Sequence, residues 1–303
     1  MAVFHVVKSL KSCFLLVSSN HSVEFILNLS CPDKAGLVRI VSNWLYDKNC
    51  NIIDSDQFGD PKSSNFFMRV HFQGGGNNPN FEDDLVKSFS NIANRHQMSW
   101  GLWVTNVKPK VMIMVSKQDH CLVDLLYRAK NGELPISIAL VASNHEDTYP
   151  IVAAEGIDFL HVSLDDKLKM EQELLSEIQR RDIDFVILAR YMQILGATVC
   201  SQLPGRIINI HHSFLPGFKG ARPYHQAFDR GVKLIGATAH YVTTDLDEGP
   251  IIEQGIERVD HRMDTKTLAA VGRDIERIVL AKAVRYHAEH RILLNGHRTI
   301  VFH

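Results

Sequence analysis

Two residues suited to acyl chemistry, Asn209 and His211, follow the apolar run Ile207-Ile208 with one residue between them. Such a run is typical of the end of a buried strand. Because side chains alternate across a strand, Asn209 and His211 share one face, and His212 is predicted to point to the other. An amide N–H can stabilise a developing oxyanion, and an imidazole can polarise a carbonyl or move a proton. The pair therefore predicts a site where an acyl group is attacked.

Taken alone, Asn-x-His favours a structural role, with the asparagine satisfying backbone groups and the histidine packed in the core. Here the pair opens a longer pattern, Asn209-Ile210-His211-His212-Ser213-Phe214-Leu215-Pro216, with Gly220 following. This pattern resembles the signature of the folate-dependent formyltransferase family, in which an Asp-x-Asp-x-Gly-like segment follows the next strand. The chain has Asp245-Leu246-Asp247-Glu248-Gly249 at that place. The resemblance thus implies Asn209, His211 and Asp247 as catalytic residues; for Asp247 the alternative is a turn carboxylate.

The same resemblance implies a folate site beside these residues. In the family, the segment matching Arg190–Leu195 cradles the pterin, and the loop from Thr243 to Asp247 forms the other wall. An apolar slot with a few polar groups suits a flat heterocycle, although an ordinary strand-to-helix connection is the alternative. Thr238 and His240 share a strand face and are predicted to hold Asp247; for His240 the alternative is a histidine packed on the strand. The implied substrate-binding residues are Arg190, Tyr191, Met192, Ile194, Leu195, His240, Thr243 and Asp245.

The turn at Ser116–Cys121 distinguishes transfer of the formyl group to a nucleotide acceptor from a reaction without such an acceptor. Family members that use a nucleotide acceptor hold its phosphate in a Gly-rich turn at this place, whereas this turn has no glycine. Asp119 is predicted to cap the next helix and to repel a phosphate, which Lys117 offsets only in part. Arg222, where transferases often have His, binds an anion or forms a surface salt bridge. These departures indicate that the acceptor site is missing.

A folate site without an acceptor site predicts that water attacks. The expected reaction is hydrolysis of 10-formyltetrahydrofolate to tetrahydrofolate and formate, which would supply formate to one-carbon and purine metabolism. With an ACT-like first domain and Gly-Ala-Arg-Pro-Tyr-His-Gln at 220–226, the chain resembles the hydrolytic branch of the family over residues 23–303. Two rivals remain, a transferase with another acceptor and a folate or amino-acid sensor without turnover. An intact acid/base set argues against the sensor.

The overall composition fits an ordinary soluble enzyme of 303 residues with a net charge of −1. This net charge lacks the excess of Lys and Arg that nucleic-acid binding needs. No apolar run is long enough to span a membrane. The five cysteines form no Cys-x-x-Cys pair, and the histidines lack ligand spacing. We therefore expect reduced thiols, a cytoplasmic location, no metal and no tightly bound cofactor. For residues 1–22, which lack Arg and a long apolar core, we expect a disordered or mis-started N-terminus.

The first domain, residues 23–106, has the βαββαβ order of ferredoxin-like domains. With Cys31-Pro32-Asp33-Lys34-Ala35-Gly36 as a turn between the first strand and helix, it resembles an ACT domain. That resemblance implies self-association and an amino-acid effector bound near Asp33, Lys34, Ala35 and Gly36. A domain that only assembles a homo-oligomer is the alternative.

The second domain, residues 110–303, follows a linker at Val107-Lys108-Pro109-Lys110. Its strands alternate with helices, which is typical of a parallel sheet whose ligands bind outside the carboxyl ends of the strands. The fold class is therefore α/β, with a ferredoxin-like domain and a mostly parallel open sheet of formyltransferase type. The predicted strands are Val111–Val115, Ile136–Val141, Asp158–Val162, Phe185–Leu188, Ile207–Ile210, Lys233–Val242 and Ile251–Val259. The predicted helices are His120–Lys130, Lys167–Arg181, Ala197–Gln202 and Thr265–His290.

Overall fold

The computed structural model describes residues 22–76, 78–217 and 223–303. The expectations for residues 1–21, Gly220 and Arg222 therefore lie outside the described residues. The described chain divides into two compact units. One runs to Val107 and includes Ile300–His303, and the other is Lys108–Thr299. Among the helices that the structure describes, none is long and apolar enough to cross a membrane.

The first unit has the predicted βαββαβ order, with β1 (Val23–Pro32), α1 (Leu37–Asp47), β2 (Asn51–Asp60), β3 (Asn65–Gly74), α2 (Phe81–Arg95) and β4 (Ser99–Val104). Its strands form an antiparallel sheet in the order β2-β3-β1-β4. Aromatic residues from both helices and the sheet, including Trp44, Phe72 and Phe89, fill its core. Cys31 and Pro32, predicted in the turn, belong to β1, because Cys31 is buried in this core.

The second unit contains a seven-stranded sheet, its helices and most of a terminal hairpin, whose last residues, Ile300 and Val301, are assigned to the first unit. Its strands are β5 (Lys110–Val115), β6 (Ser137–Ser143), β7 (Phe159–His161), β8 (Phe185–Leu188), β9 (Ile207–His211), β10 (Leu234–Tyr241) and β11 (Ile251–Arg258). Its helices are α3 (His120–Lys130), α4 (Tyr149–Ala154), α5 (Lys167–Arg180), α6 (Ala197–Gln202), α7 (Pro223–Asp229) and α8 (Thr265–Ala288). The hairpin consists of β12 (Ile292–Asn295) and β13 (Arg298–Val301).

The large sheet has the order β11-β10-β9-β8-β5-β6-β7, and only the pairings of β10 with β9 and β11 are antiparallel. Successive residues of β5 enter different cores. Ile113 packs with residues of α3 and α8, and Met112 packs with residues of α5 and α6. Burial on both faces explains the unbroken apolar run of this strand. The predicted fold class is confirmed.

The pattern-based predictions miss three short features, α4, α7 and the β12–β13 hairpin. Each helix here is shorter than two turns, too short to show a helical period in the sequence. Ile278, which the periodicity assigns to the apolar stripe of α8, is 52% exposed. Of these features, α7 contributes Tyr224 to the cavity at the carboxyl ends of β8 and β9, where the chemistry-bearing residues gather.

Candidate active site

The pairing of β9 with β10 sets the first part of the site. Asn209 lies directly opposite His240, so the two side chains share a face. The Nδ1–H of His240 donates to the Tyr241 carbonyl oxygen at 2.9 Å. Its Nε2 is then the acceptor for the Asn209 amide, whose Nδ2 lies 3.1 Å away. Burial lowers the pKa of His240, which keeps the ring neutral and suited to this bond. The second amide hydrogen of Asn209 remains for a ligand.

Asp247 reaches the same face from the loop after β10. Its Oδ1 lies 3.3 Å from the His211 Nδ1 and 3.8 Å from the His240 Nε2. Its backbone is left-handed, with φ of 57°, a conformation that Asp adopts more readily than most residues. The hydrogen bond from His211 and the charges of nearby imidazoles lower the pKa of Asp247, against the opposing effect of partial burial. The residue is a carboxylate at neutral pH.

The two ring nitrogens of His211 differ: Nδ1 contacts Asp247, and Nε2 has no partner among the described residues. The Nε2 atom is buried. The His212 ring stacks on the His211 ring with centroids 5.1 Å apart, and both line the same cavity. The prediction that His212 points to the other face is wrong, because the strand ends at His211 and the alternation ends with it. Burial and the charge of Arg190 lower the pKa of His212 to about 4.

One cavity of about 710 Å³ brings the predicted catalytic and substrate-binding residues together. Its apolar walls include the side chains of Met192, Ile194 and Leu246, which are 57%, 59% and 60% exposed. The predicted residues that line it are Asn209, His211, Asp247, Arg190, Tyr191, Met192, Ile194, Leu195, His240, Thr243 and Asp245. The turn at Asp33 to Gly36 lies in the first unit and is exposed.

A buried carboxylate, Glu276 on α8, is the main site residue that the sequence patterns miss. Its Oε1 accepts from the Tyr224 hydroxyl at 2.6 Å and its Oε2 from the His120 Nε2 at 2.8 Å. The Arg190 Nε lies 3.4 Å from Oε2. Burial alone would raise the pKa of Glu276, but these hydrogen bonds and the guanidinium outweigh it and lower the pKa. Its signal in the sequence is an acid next to Ile275 of the apolar stripe, a signal that Asp274 on the other side of Ile275 shares.

Thr238 has a different role from the one predicted. Instead of holding Asp247, its hydroxyl donates to the Ser213 carbonyl oxygen at 3.0 Å and accepts the Leu215 N–H at 3.0 Å. Gln254 also donates to it, at 3.1 Å. Thr238 therefore fixes the turn that follows Asn209 and His211. The difference arises because Thr238 pairs with His211, two residues before Ser213 and four before Leu215, and its hydroxyl contacts both of them.

His120, Cys121 and Glu276 are close enough in space to be considered as metal ligands. The His120 ring already donates to Glu276, and the Arg190 guanidinium lies against the same carboxylate. Burial raises the pKa of the Cys121 thiol, which opposes the thiolate that a metal requires. This geometry suits a hydrogen-bonded network better than a cation. The expectation of a metal-independent enzyme stays a prediction.

Replacing Arg190 tests this network through stability. We expect Arg190→Ala to lower the free energy of unfolding by about 3 kcal/mol, because it leaves a buried carboxylate less compensated. Arg262→Ala is the control, since that side chain is 79% exposed in its ion pair with Asp260. It should leave the free energy of unfolding nearly unchanged, because solvent screens an exposed ion pair. Urea unfolding of both variants measures the difference, and equal losses would contradict the prediction.

Comparisons with known proteins agree with this geometry. A family model described as formyl transferase matches residues 109–284. The formyltetrahydrofolate deformylase of Bacillus subtilis is 46% identical over 279 residues, which cover 91% of this chain and 93% of that protein. The enzyme of that name from Escherichia coli is 39% identical over 284 residues, 93% of this chain and 99% of the relative.

Solved structures give the same result. The crystal structure of formyltetrahydrofolate deformylase from Burkholderia mallei is similar with a TM-score of 0.88 and 49% identity, covering 93% of this chain and all 100% of the other. Glycinamide ribonucleotide transformylase 1 from Symbiobacterium toebii is similar with a TM-score of 0.62 and 30% identity. That likeness covers 65% of this chain and 95% of the transformylase.

Proposed function

The chain belongs to the formyl transferase family and within it to the formyltetrahydrofolate deformylases, and from that premise we propose that Asn209, His211 and Asp247 catalyse its reaction. It is an enzyme that hydrolyses 10-formyltetrahydrofolate to tetrahydrofolate and formate. The observation that carries the residue assignment is the contact of Asp247 with His211 beside Asn209, in the cavity that the predicted folate-binding residues line.

In the proposed reaction, the oxygen of a water forms a bond to the formyl carbon as Asp247 takes the water's proton. The carbonyl oxygen becomes an oxyanion that the free amide hydrogen of Asn209 and the Nε2–H of His211 stabilise. The unpartnered Nε2 of His211 supports this role, since its other nitrogen is committed to Asp247. The C–N bond then breaks as N10 takes the proton that Asp247 received, which gives tetrahydrofolate and formic acid, and the acid loses its proton to solvent as formate.

Water is the proposed nucleophile because the turn after β5 is occupied by contacts within the protein. Gln118 accepts from the Arg190 guanidinium at 2.9 and 3.1 Å, and His120 donates to Glu276. Asp119 stands at the start of α3 without a side-chain capping bond, so the predicted cap is wrong. Its charge still disfavours an anionic acceptor at that helix end. The Gln118 and His120 side chains, which make these bonds, are therefore not available to a phosphate.

The proposed folate site uses both walls of the cavity. The pterin would lie between the segment 190–195 and the loop 243–247, whose members include apolar side chains and backbone groups. Thr243 stabilises its own loop by donating to the Asp245 carbonyl oxygen at 3.1 Å. A flat heterocycle gains from such a slot because apolar faces cover the ring and a few polar groups orient it.

The test of this proposal is an incubation of the purified protein with 10-formyltetrahydrofolate and no acceptor. Formate and tetrahydrofolate should form in equal amounts, and Asp247→Asn should abolish both. Turnover that appears only after an amine such as glycinamide ribonucleotide is added would contradict water as the nucleophile. It would also show that the turn after β5 can receive an acceptor.

His240 gives the site an expected pH dependence. Because burial lowers its pKa below 6.5, the ring is neutral at pH 7 and accepts from Asn209. As the pH falls through that lowered pKa, protonated Nε2 can no longer accept, and kcat should fall. In His240→Gln, whose side-chain oxygen still accepts from Asn209, this acid limb should disappear. A pH profile of kcat for both proteins measures it, and an unchanged limb would contradict the assignment.

For the first unit, we propose self-association and the binding of an amino acid at Asp33, Lys34, Ala35 and Gly36. The sheet edge supports association, because β2 is an edge strand on which Ile52, Ile53 and Phe58 are 39%, 46% and 42% exposed. The exposed turn, with Gly36 at φ of 92°, supports access for a small ligand. Light scattering of the intact enzyme, with calorimetry against the twenty amino acids, tests both. A monomer that binds none of them would refute both.

We also propose a cytoplasmic location. Cys31, Cys50, Cys121 and Cys200 are free in the described chain, as expected in a reducing compartment. Cell fractionation with a thiol-specific label tests this, and recovery of the oxidised protein outside the cytoplasm would contradict it.

A further inference from the structure

A second buried carboxylate, Glu171 on α5, lies outside the catalytic set and was not singled out by any sequence motif. It is 5% exposed, and its Oε1 accepts the backbone N–H of Gly196 at 2.6 Å. Its nearest cation is Lys167, one turn earlier, with Nζ 3.9 Å away and a side chain that is 54% exposed. A carboxylate is expensive to bury with so few partners, so the contact with Gly196 needs an explanation.

Gly196 ends the irregular segment that follows β8 and forms one wall of the cavity. A Cβ at this position would lie 2.6 Å from both Glu171 oxygens. The backbone at Gly196 is otherwise ordinary, with φ of −74° and ψ of 163°. The glycine is therefore required by the approach of the carboxylate and not by the chain conformation.

The other end of the segment is held by Ser116. The Ser116 N–H donates to the Arg190 carbonyl oxygen at 3.3 Å, and its hydroxyl accepts the Met192 N–H at 3.0 Å. The Ser116 hydroxyl in turn donates a hydrogen bond to the Asn144 Oδ1 at 2.7 Å. The segment is thus bonded at its start by Ser116 and at its end by Glu171.

Between these two anchors the segment forms part of the cavity wall. Gln193, Ile194 and Leu195 line it, and among the residues that the structure describes no protein group accepts their backbone N–H. The Tyr191 hydroxyl, near Glu171, is also buried without a hydrogen-bond partner in the described chain. A ligand with several donors and acceptors in one plane, such as a pterin, can pair with such groups.

We propose that Glu171 is a positioning residue for folate binding, which fixes the end of the segment 190–196 so that its unpaired backbone groups are held ready for the pterin ring. The inference rests on the proposed pterin site along this segment. It assigns Glu171 a role in affinity and not in the chemical step, because the carboxylate acts on the substrate only through Gly196. Preorganised polar groups bind without the entropy cost of ordering a loop.

The test compares Glu171→Ala, Glu171→Gln and Gly196→Ala in steady-state hydrolysis of 10-formyltetrahydrofolate. Glu171→Ala should raise KM about tenfold, as expected for one lost hydrogen bond to a charged group, and leave kcat within about twofold. Glu171→Gln should recover most of the affinity, because its amide oxygen can accept from Gly196. Gly196→Ala, which displaces the carboxylate and not the substrate, should reproduce the rise in KM.

Glu173→Gln is the matched control, since Glu173 lies on the same helix, carries the same charge and is exposed. Its KM and its melting temperature should equal those of the parent enzyme. An unchanged KM in both Glu171→Ala and Gly196→Ala would overturn the inference, whatever happens to their melting temperatures. Absence of hydrolysis by the parent enzyme would instead refute the proposed function, so the two failures are distinguishable.

Discussion

Asp247→Asn is expected to lower kcat by a factor of about 10³, because it removes the group that takes the proton from water. The replacement keeps the size of the side chain. Asn also tolerates the left-handed backbone that this position requires, so the loop should keep its conformation. Its amide can still contact His211, but it cannot act as a base. Formate release at substrate saturation measures the loss, and calorimetry with tetrahydrofolate should give a Kd within about threefold of the parent value.

Glu248→Gln is the control for this result. Glu248 is the next residue in the loop, is exposed, and loses the same charge on substitution. Its kcat should stay within about twofold of the parent value. A kcat for Asp247→Asn within tenfold of the parent enzyme would show that the carboxylate only stabilises the loop or the His211 ring, and that another group receives the proton.

Asn209→Ala is expected to lower kcat by about 10²–10³, the usual loss on removing one oxyanion donor. KM should change little, because the amide contacts the reacting carbonyl group and not the pterin. Single-turnover measurements of formate release separate the chemical step from product release. A normal single-turnover rate would exclude Asn209 from oxyanion stabilisation.

A double-mutant cycle with His240→Phe shows whether His240 acts through Asn209. Because the described contact of the His240 Nε2 is with the Asn209 amide, the effect of His240→Phe on kcat should largely vanish in the Asn209→Ala background. Additive effects would mean that His240 acts mainly on Asp247, which lies 3.8 Å away. Either outcome assigns His240 to one of its two neighbours.

Local patterns were sufficient for the fold class, and the family resemblance supplied the predicted catalytic and folate-binding residues, which line part of the cavity. The run Val111–Val115 predicts a strand of a parallel sheet, and the structure places it inside the sheet, between β8 and β6. The signature after Ile207-Ile208 names Asn209 and His211 because adjacent residues are read directly from the chain. Alternation along a strand then predicts that their side chains share a face. These properties depend on residues close together in sequence.

The tertiary structure alone decided which groups touch. His120 and Glu276 are 156 positions apart and hydrogen-bond at 2.8 Å, a contact that no local period encodes. The tautomer of His240 and the task of Thr238 follow from the register of β9 against β10 and the turn packed on it. Glu171 looks like an ordinary helix acid until Gly196 is brought against it. Sequence patterns report the burial and spacing of neighbours, whereas partners in a network are set by packing between distant segments.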